Sequence, residues 1–190
     1  MGRHATRAPG GDPSHVVNVR EATAGDVEGC LDVLETVVNE GIWLGAQPPL
    51  DRADRRQRLL DALADERSVS LVAVEPDTGQ IAGHLGLHVA PYGVADFGMC
   101  VTPGYRRRGV GRALVTEAVA AARRLGAHKV TLQVWPHNGP ARRLYRQLGF
   151  VEEGRLRRHY PRRNGELWDA IIMSLVLDEE RPGSSLPDDA

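Results

Sequence analysis

Between Val101 and Leu114 the chain reads Val-Thr-Pro-Gly-Tyr-Arg-Arg-Arg-Gly-Val-Gly-Arg-Ala-Leu, a set of residues suited to holding a phosphorylated ligand. A glycine-spaced turn that opens a helix leaves backbone N–H groups unpaired and aimed outward, and the positive end of the helix dipole adds to them. Gly109 and Gly111 have no Cβ, so a bulky ligand can come close to the main chain. Arg106, Arg107, Arg108 and Arg112 supply charge-assisted donors that match phosphate oxygens. Together these features predict a pyrophosphate seat. Two common phosphate loops do not fit. A Walker loop needs Gly-Lys-Ser/Thr, whereas Gly111 is followed by Arg112 and Ala113. A dinucleotide fingerprint needs a third glycine where Leu114 stands and an acid at the end of the next strand, and Val130-Thr131-Leu132-Gln133-Val134 has none.

The elements that position this seat follow from periodicity and punctuation. A strand precedes it (Val94 to Val101), and a helix with Leu114, Ala118, Ala121, Ala122 and Leu125 at turn spacing follows, stopped by Gly126. Upstream lie a short strand over Val16 to Arg20, a helix capped by Thr23 with Asp26 three residues on, and a second helix from Asp51 to about Asp65. The intervening stretch, Glu40 to Leu50, is too rich in Gly and Pro for regular structure, and its Trp43 reads as a lid over the core or a pocket wall. Val69 to Val74 and Ile81 to Val89 flank a Pro/Asp/Gly turn and predict a hairpin. His84 and His88 share one face of its second strand and read as satisfied structural histidines. Downstream come a strand over Lys129 to Trp135 and a helix capped by Asn138, with Ala141, Leu144, Tyr145 and Leu148 on one face. Phe150 to about Leu156 and Glu166 to Leu177 predict two closing strands. Residues 1–15 and 179–190 lack periodicity and read as a disordered arm and tail around one domain over 16–178.

Two blocks then stand in a telling order. Arg106-x-x-Gly109-x-Gly111 resembles the pyrophosphate loop of the GNAT superfamily of N-acetyltransferases. Asn138-Gly139-Pro140-Ala141-Arg142-Arg143-Leu144-Tyr145, running on to Gly149-Phe150, resembles that family's Asn-x-x-Ala-x-x-Leu-Tyr-x-x-x-Gly-Phe helix. The stretch Gly165 to Leu175 resembles the closing strand of its bacterial branches. The resemblance implies an α/β (α+β) fold, a single domain with a mixed central sheet of about seven strands and four helices. It implies acetyl-CoA as co-substrate without a metal. The backbone of Met99, Cys100 and Val101 would meet the pantetheine arm, and Arg106, Arg107, Arg108, Gly109, Val110, Gly111 and Arg112 the pyrophosphate. Asn138 and Ala141 would border the pantetheine, and Tyr145 would aim its hydroxyl at the CoA sulfur.

Acetyl transfer to an amine needs a neutral attacking nitrogen, a donor for the developing oxyanion and a proton for the departing thiolate. A tyrosine with a pKa near ~10 keeps its proton at neutral pH and can give it away. Tyr145 therefore reads as the general acid, against the alternative of an aromatic packed beside Leu144 and Leu148. The base is open. Relatives acting on a ribosomal protein carry a glutamate where this chain has Gln133, which cannot take a proton. Asp96 stands first among the substitutes, ahead of Glu40 and His137. Cys100 invites a covalent acetyl-cysteine route, but no neighbouring base in the sequence activates it. The cationic run Arg155, Arg157, Arg158, His159, Arg162, Arg163 either favours an acidic acceptor or forms a solvated loop. Glu40-Gly41-x-Trp43 through Pro48-Pro49 resembles the entry region of members that use small amines, so a small or amino-acid-like amine is the expected acceptor. A protein N-terminus or lysine is second, and a non-catalytic acyl-CoA-binding module third.

Composition bounds the rest. Net charge is −1, which gives no global argument for nucleic acid or an anionic membrane. The two cysteines, Cys30 and Cys100, have no metal-ligand spacing and predict a reduced, cytoplasmic protein. No apolar run is long enough to cross a bilayer. The resemblance allows a homodimer.

Overall fold

The computed structural model describes residues 17–177, so the expected arm and tail lie outside the described residues. The chain runs β1 (Asn18–Glu21), α1 (Val27–Asn39), α2 (Arg52–Ala64), β2 (Ser68–Val74), β3 (Ile81–Val89), β4 (Val94–Val101), α3 (Val110–Arg124), β5 (Lys129–Val134), α4 (Gly139–Gln147), β6 (Val151–Pro161) and β7 (Leu167–Val176). Local chemistry accounts for most of these boundaries. Asp51 accepts the Asp54 N–H at the head of α2, and the Thr23–Asp26 capping box precedes α1. Asn138 accepts the Ala141 N–H at the head of α4, a cap worth about 1 kcal/mol.

The seven strands form one sheet in the order β1-β2-β3-β4-β5-β7-β6, antiparallel except where β4 meets β5. Helix α3 packs on one face, where Leu114, Val115 and Ala118 join Leu85, Ala95 and Val130 in the main core. Helix α1 lies on the other face, where Val33 and Val37 meet Cys100. Among the described residues, no helix is long and apolar enough to cross a membrane, and no three His, Cys, Asp or Glu side chains cluster as a metal site would require.

Strand β6 departs from the expected ending near Leu156. Leu156 pairs with Ala170 and Tyr160 with Trp168, so four steps on β6 oppose two on β7 and two extra residues bulge out. Arg158 sits in the bulge at φ 51° and donates its N–H to Asp169 at 2.6 Å. The bulge accommodates a charged segment that an unbroken ladder reading would have ended early. His88 is satisfied as expected, its Nδ1 lying 3.1 Å from Ser68 Oγ. His84 is not: its Nε2 is buried with no partner among the described residues, and burial pulls its pKa down to about 4.

Candidate active site

Strand β5 pairs with β7 along its full length but with β4 only from Val94 to Asp96. Beyond Asp96 the two parallel strands separate, and one edge of β4 is left without a neighbour. Thr102 donates its N–H to Ala82 O at 3.0 Å, on the β3 side. By the two-residue alternation of an antiparallel ladder, Cys100 also turns its backbone groups to β3, whereas Met99 and Val101 turn theirs into the gap. Met99 thus presents both backbone groups to the gap, Val101 only its N–H because its carbonyl oxygen accepts from Arg106 Nε, and Cys100 contributes only its side chain to the cavity wall. Below the gap, Phe97 packs edge-on to Tyr145 and Phe150 at centroid distances of 5.9 and 6.1 Å, tying α4 to β4.

A cavity of about 440 Å³ occupies this gap. At one end is the turn into α3. Gly109 adopts φ 86° as the cap of the helix, and Arg107 is also left-handed at φ 60°. Six successive N–H groups, from Arg107 to Arg112, have no acceptor among the described residues; the first closed bond runs from Ala113 N to Gly109 O. Gly111 lets α4 approach, because a Cβ there would stand 3.1 Å from Leu144 Cδ2 and 3.4 Å from Met99 Cε. Unpaired donors at a helix N-terminus, in a glycine turn open to the cavity, are the chemistry of an anion site.

The four arginines divide. Arg107 lines the cavity and has no hydrogen-bond or ion-pair partner among the described residues; Arg112 lines it while donating to Gln147 at 2.8 Å. Arg108 lies over the Tyr105 ring, outside the wall, and Val110 buries its side chain in the core, so it can offer only its N–H. Arg106 is committed elsewhere. Its Nε donates to Val101 O at 2.9 Å, and its two terminal nitrogens clasp the Glu40 carboxylate.

That clasp bears on the base. Glu40 accepts both Arg106 donors and the Trp43 indole N–H at 2.7 Å, and the guanidinium holds its carboxyl below the usual range. A carboxylate so engaged is a weak proton acceptor. Asp96 is exposed at the paired end of β4, beside His88 and Thr131, and is not brought to the cavity wall, because the strands separate only after it. His137 places Nε2 2.8 Å from the Ile42 carbonyl oxygen. That nitrogen must carry the proton, which leaves the Nδ1 lone pair free in the neutral ring.

Tyr145 lines the cavity, is 7% exposed, and its hydroxyl has no partner among the described residues. Burial raises its pKa above that of an ordinary phenol. Asn138 and Ala141 also line the wall; because the Asn138 carbonyl oxygen caps α4, its NH₂ group remains available to a ligand. Cys100 is buried, and burial pushes its thiol up to about 12, a value at which almost no thiolate exists at neutral pH. Cys100→Ala should therefore keep at least about half of wild-type turnover in a thiol-release assay; loss of activity would revive the covalent route.

Another part of the cavity wall was less legible in the sequence. Val37, Trp43 and Leu44 form an apolar wall there. Arg162, expected in a solvated or acceptor-facing run, is 7% exposed, and Arg155 is paired with Asp169. No local signal marks Arg162, because the carbonyls it meets are 117 to 121 residues away.

The acetyltransferase (GNAT) family model matches residues 38–150. An L-amino acid N-acetyltransferase of Escherichia coli K12 is 35% identical over 121 residues, covering 61% of this chain and 74% of that protein. The ribosomal protein bS18-alanine N-acetyltransferase of the same organism is 39% identical over 81 residues, 43% of this chain and 54% of that one. Among solved structures, a GNAT superfamily phosphinothricin acetyltransferase from Sinorhizobium meliloti, in complex with acetyl-CoA, superposes with a TM-score of 0.77 over 90% of this chain and 96% of that one. At 19% identity it speaks for the fold alone.

Proposed function

The chain belongs to the acetyltransferase (GNAT) family, and from that premise we propose that it moves the acetyl group of acetyl-CoA directly to the amine of a small, amino-acid-like acceptor. The observation that carries the reading is the run of six unpaired N–H groups at one end of a gap whose inner wall holds Tyr145. Acetyl-CoA supplies an activated thioester; the protein supplies position and protons. The 107–112 turn and the Arg107 guanidinium bind the diphosphate. The edge of β4, with both backbone groups of Met99 and the Val101 N–H, orients the pantetheine arm together with the Asn138 amide, as a strand addition would. Tyr145 holds a proton at its phenol oxygen and donates it to the departing sulfur. His137 stands behind the cavity wall, its ring 6.2 Å from that of Trp43, and with the ring fixed by Ile42 its Nδ1 takes the acceptor's proton through water.

The small-acceptor part draws on the apolar wall of Val37, Trp43 and Leu44, which confines the acceptor end, and on the amino-acid activity named for the E. coli relative. The test is thiol release from acetyl-CoA over a panel of free amino acids, simple amines and alanine-initiated peptides. Turnover on free amino acids or simple amines is the expected result. Turnover on peptides alone would replace the acceptor class, and binding of acetyl-CoA without turnover on any amine would replace the enzyme by a binding module.

A further inference from the structure

Residues 41–48 form the roof of the acceptor end; Trp43 and Leu44 pack against Val33 and Val37 and the Trp43 indole donates to Glu40, but the residues around them add little side-chain packing. Gly41 and Gly45 bring no side chain, and Ile42 is exposed. The backbone of the roof is tied from outside, at Ile42 O by His137 Nε2 and elsewhere by the turn between β6 and β7. Arg162 Nη1 donates to Leu44 O at 3.3 Å and Gly45 O at 3.1 Å, and Nη2 donates to Gly41 O at 3.2 Å. Its guanidinium lies 4.3 Å from the Trp168 ring centroid and 5.8 Å from that of Trp135. No carboxylate lies within ion-pair distance of Arg162 among the described residues. The buried charge is thus met at contact distance by carbonyl dipoles and indole faces, with the Glu166 carboxylate acting from farther off. Arg163 continues the strap: its N–H donates to Gln47 Oε1 at 2.8 Å, and its side chain to Pro48 O.

An arginine used only for stability would be expected on a carboxylate or in solvent. This one spends its planar fork on three carbonyls that bracket Trp43 and Leu44, both of them cavity-wall residues. We propose that Arg162 is a positioning residue for acceptor selection: it fixes the Gly41–Gly45 backbone so that Trp43 and Leu44 close the acceptor end to bulky amines. The roof's other anchors are His137 on Ile42 O and Arg106, which clasps Glu40 and lies over the Trp43 ring; loosening Arg162 therefore releases the Gly41 and Leu44–Gly45 carbonyls while leaving the Arg106 contacts beside the diphosphate seat in place. The inference rests on the cavity being the place of acetyl transfer, and not on which amine is used.

The test uses the full chain with Arg162→Met, which keeps the stem, and Arg162→Lys, which keeps the charge but cannot bridge three carbonyls. Hydrogen exchange over residues 41–48 should rise in both variants, more in Met than in Lys. The acceptor KM should rise about tenfold in Arg162→Met, while acetyl-CoA Kd stays within about twofold. The kcat/KM preference for a free amino acid over an alanine-initiated tetrapeptide should shrink by about tenfold. If the wild type prefers the tetrapeptide, the small-acceptor reading fails, and the KM shift on that peptide still decides the role of Arg162. Faster exchange in the roof with unchanged acceptor KM and preference would overturn the inference, as would unchanged exchange. Should Arg162→Met not fold, the double variant Gln47→Ala/Arg163→Ala loosens the same roof from an exposed position and is read by the same three measurements.

Discussion

Tyr145→Phe is expected to lower kcat by about 10²- to 10⁴-fold, the range of a positioned general acid, with acetyl-CoA Kd changed by less than about twofold. The contrast follows from what the substitution keeps. The ring stays edge-on to Phe97 and tilted against Phe150, so α4 keeps its place and the Asn138 cap is untouched. The hydroxyl has no protein partner among the described residues, so its loss strands no buried donor or acceptor. Only the proton is missing. Single-turnover measurement keeps slow product release from masking the effect. The pH profile gives a second check. The amine acceptor must lose a proton near ~8 if it is an α-amino group, so the rate should climb through that range. Because burial raises the Tyr145 pKa, the phenol stays protonated there, and no alkaline fall should cut across the rise. Unchanged kcat in the phenylalanine variant would remove Tyr145 from the chemistry.

Gly109→Val should weaken acetyl-CoA about 10- to 100-fold, or ~1.4 to 2.8 kcal/mol at 1.4 kcal/mol per tenfold. At φ 86° a β-branched residue costs at least ~1–2 kcal/mol, and the turn relieves that strain by moving toward ordinary φ. Such a shift scatters the N–H groups of Arg107 to Arg112, whose value lies in pointing at one place. Gly126→Val is the matched control. Gly126 is also left-handed, at φ 75°, but it follows the far end of α3 and has open space where a Cβ would stand. Both variants should lower the melting temperature, and calorimetric titration should find acetyl-CoA affinity reduced in Gly109→Val alone. Equal affinity losses in the two would mean that general destabilisation, and not the seat, is being measured.

The residues of this site were legible to different degrees because they are held by interactions of different range. Gly109, Gly111, Asn138 and Tyr145 act through local geometry: a turn, a cap, a helix face. Their types and spacing carry that geometry wherever the segment goes, and the same holds for nearly every helix boundary. Arg106 shows the limit. Its place in the motif suggested a phosphate ligand, yet Glu40, 66 residues earlier, occupies its fork. That engagement also takes Glu40 out of the base position. Asp96 was the leading base on sequence grounds, because nothing local tells a reader where two parallel strands stop pairing. The pairing ends at Asp96 itself, so the carboxylate falls outside the cavity.

What the linear sequence determined, then, is the order of strands and helices, the glycine turn at the head of α3, the capped helix that carries Tyr145, and through these the family. What only the tertiary structure decided is which arginines remain free, which backbone edge faces the gap, and that Arg162 and Arg163 strap the segment over residues 41–48. The division has one physical cause. Capping, turn strain and amphipathic periodicity act over a few residues and leave their mark in neighbouring letters. The Arg106–Glu40 clasp, the parting of β4 from β5 and a buried guanidinium on distant carbonyls arise only when segments far apart in the sequence meet in the folded chain.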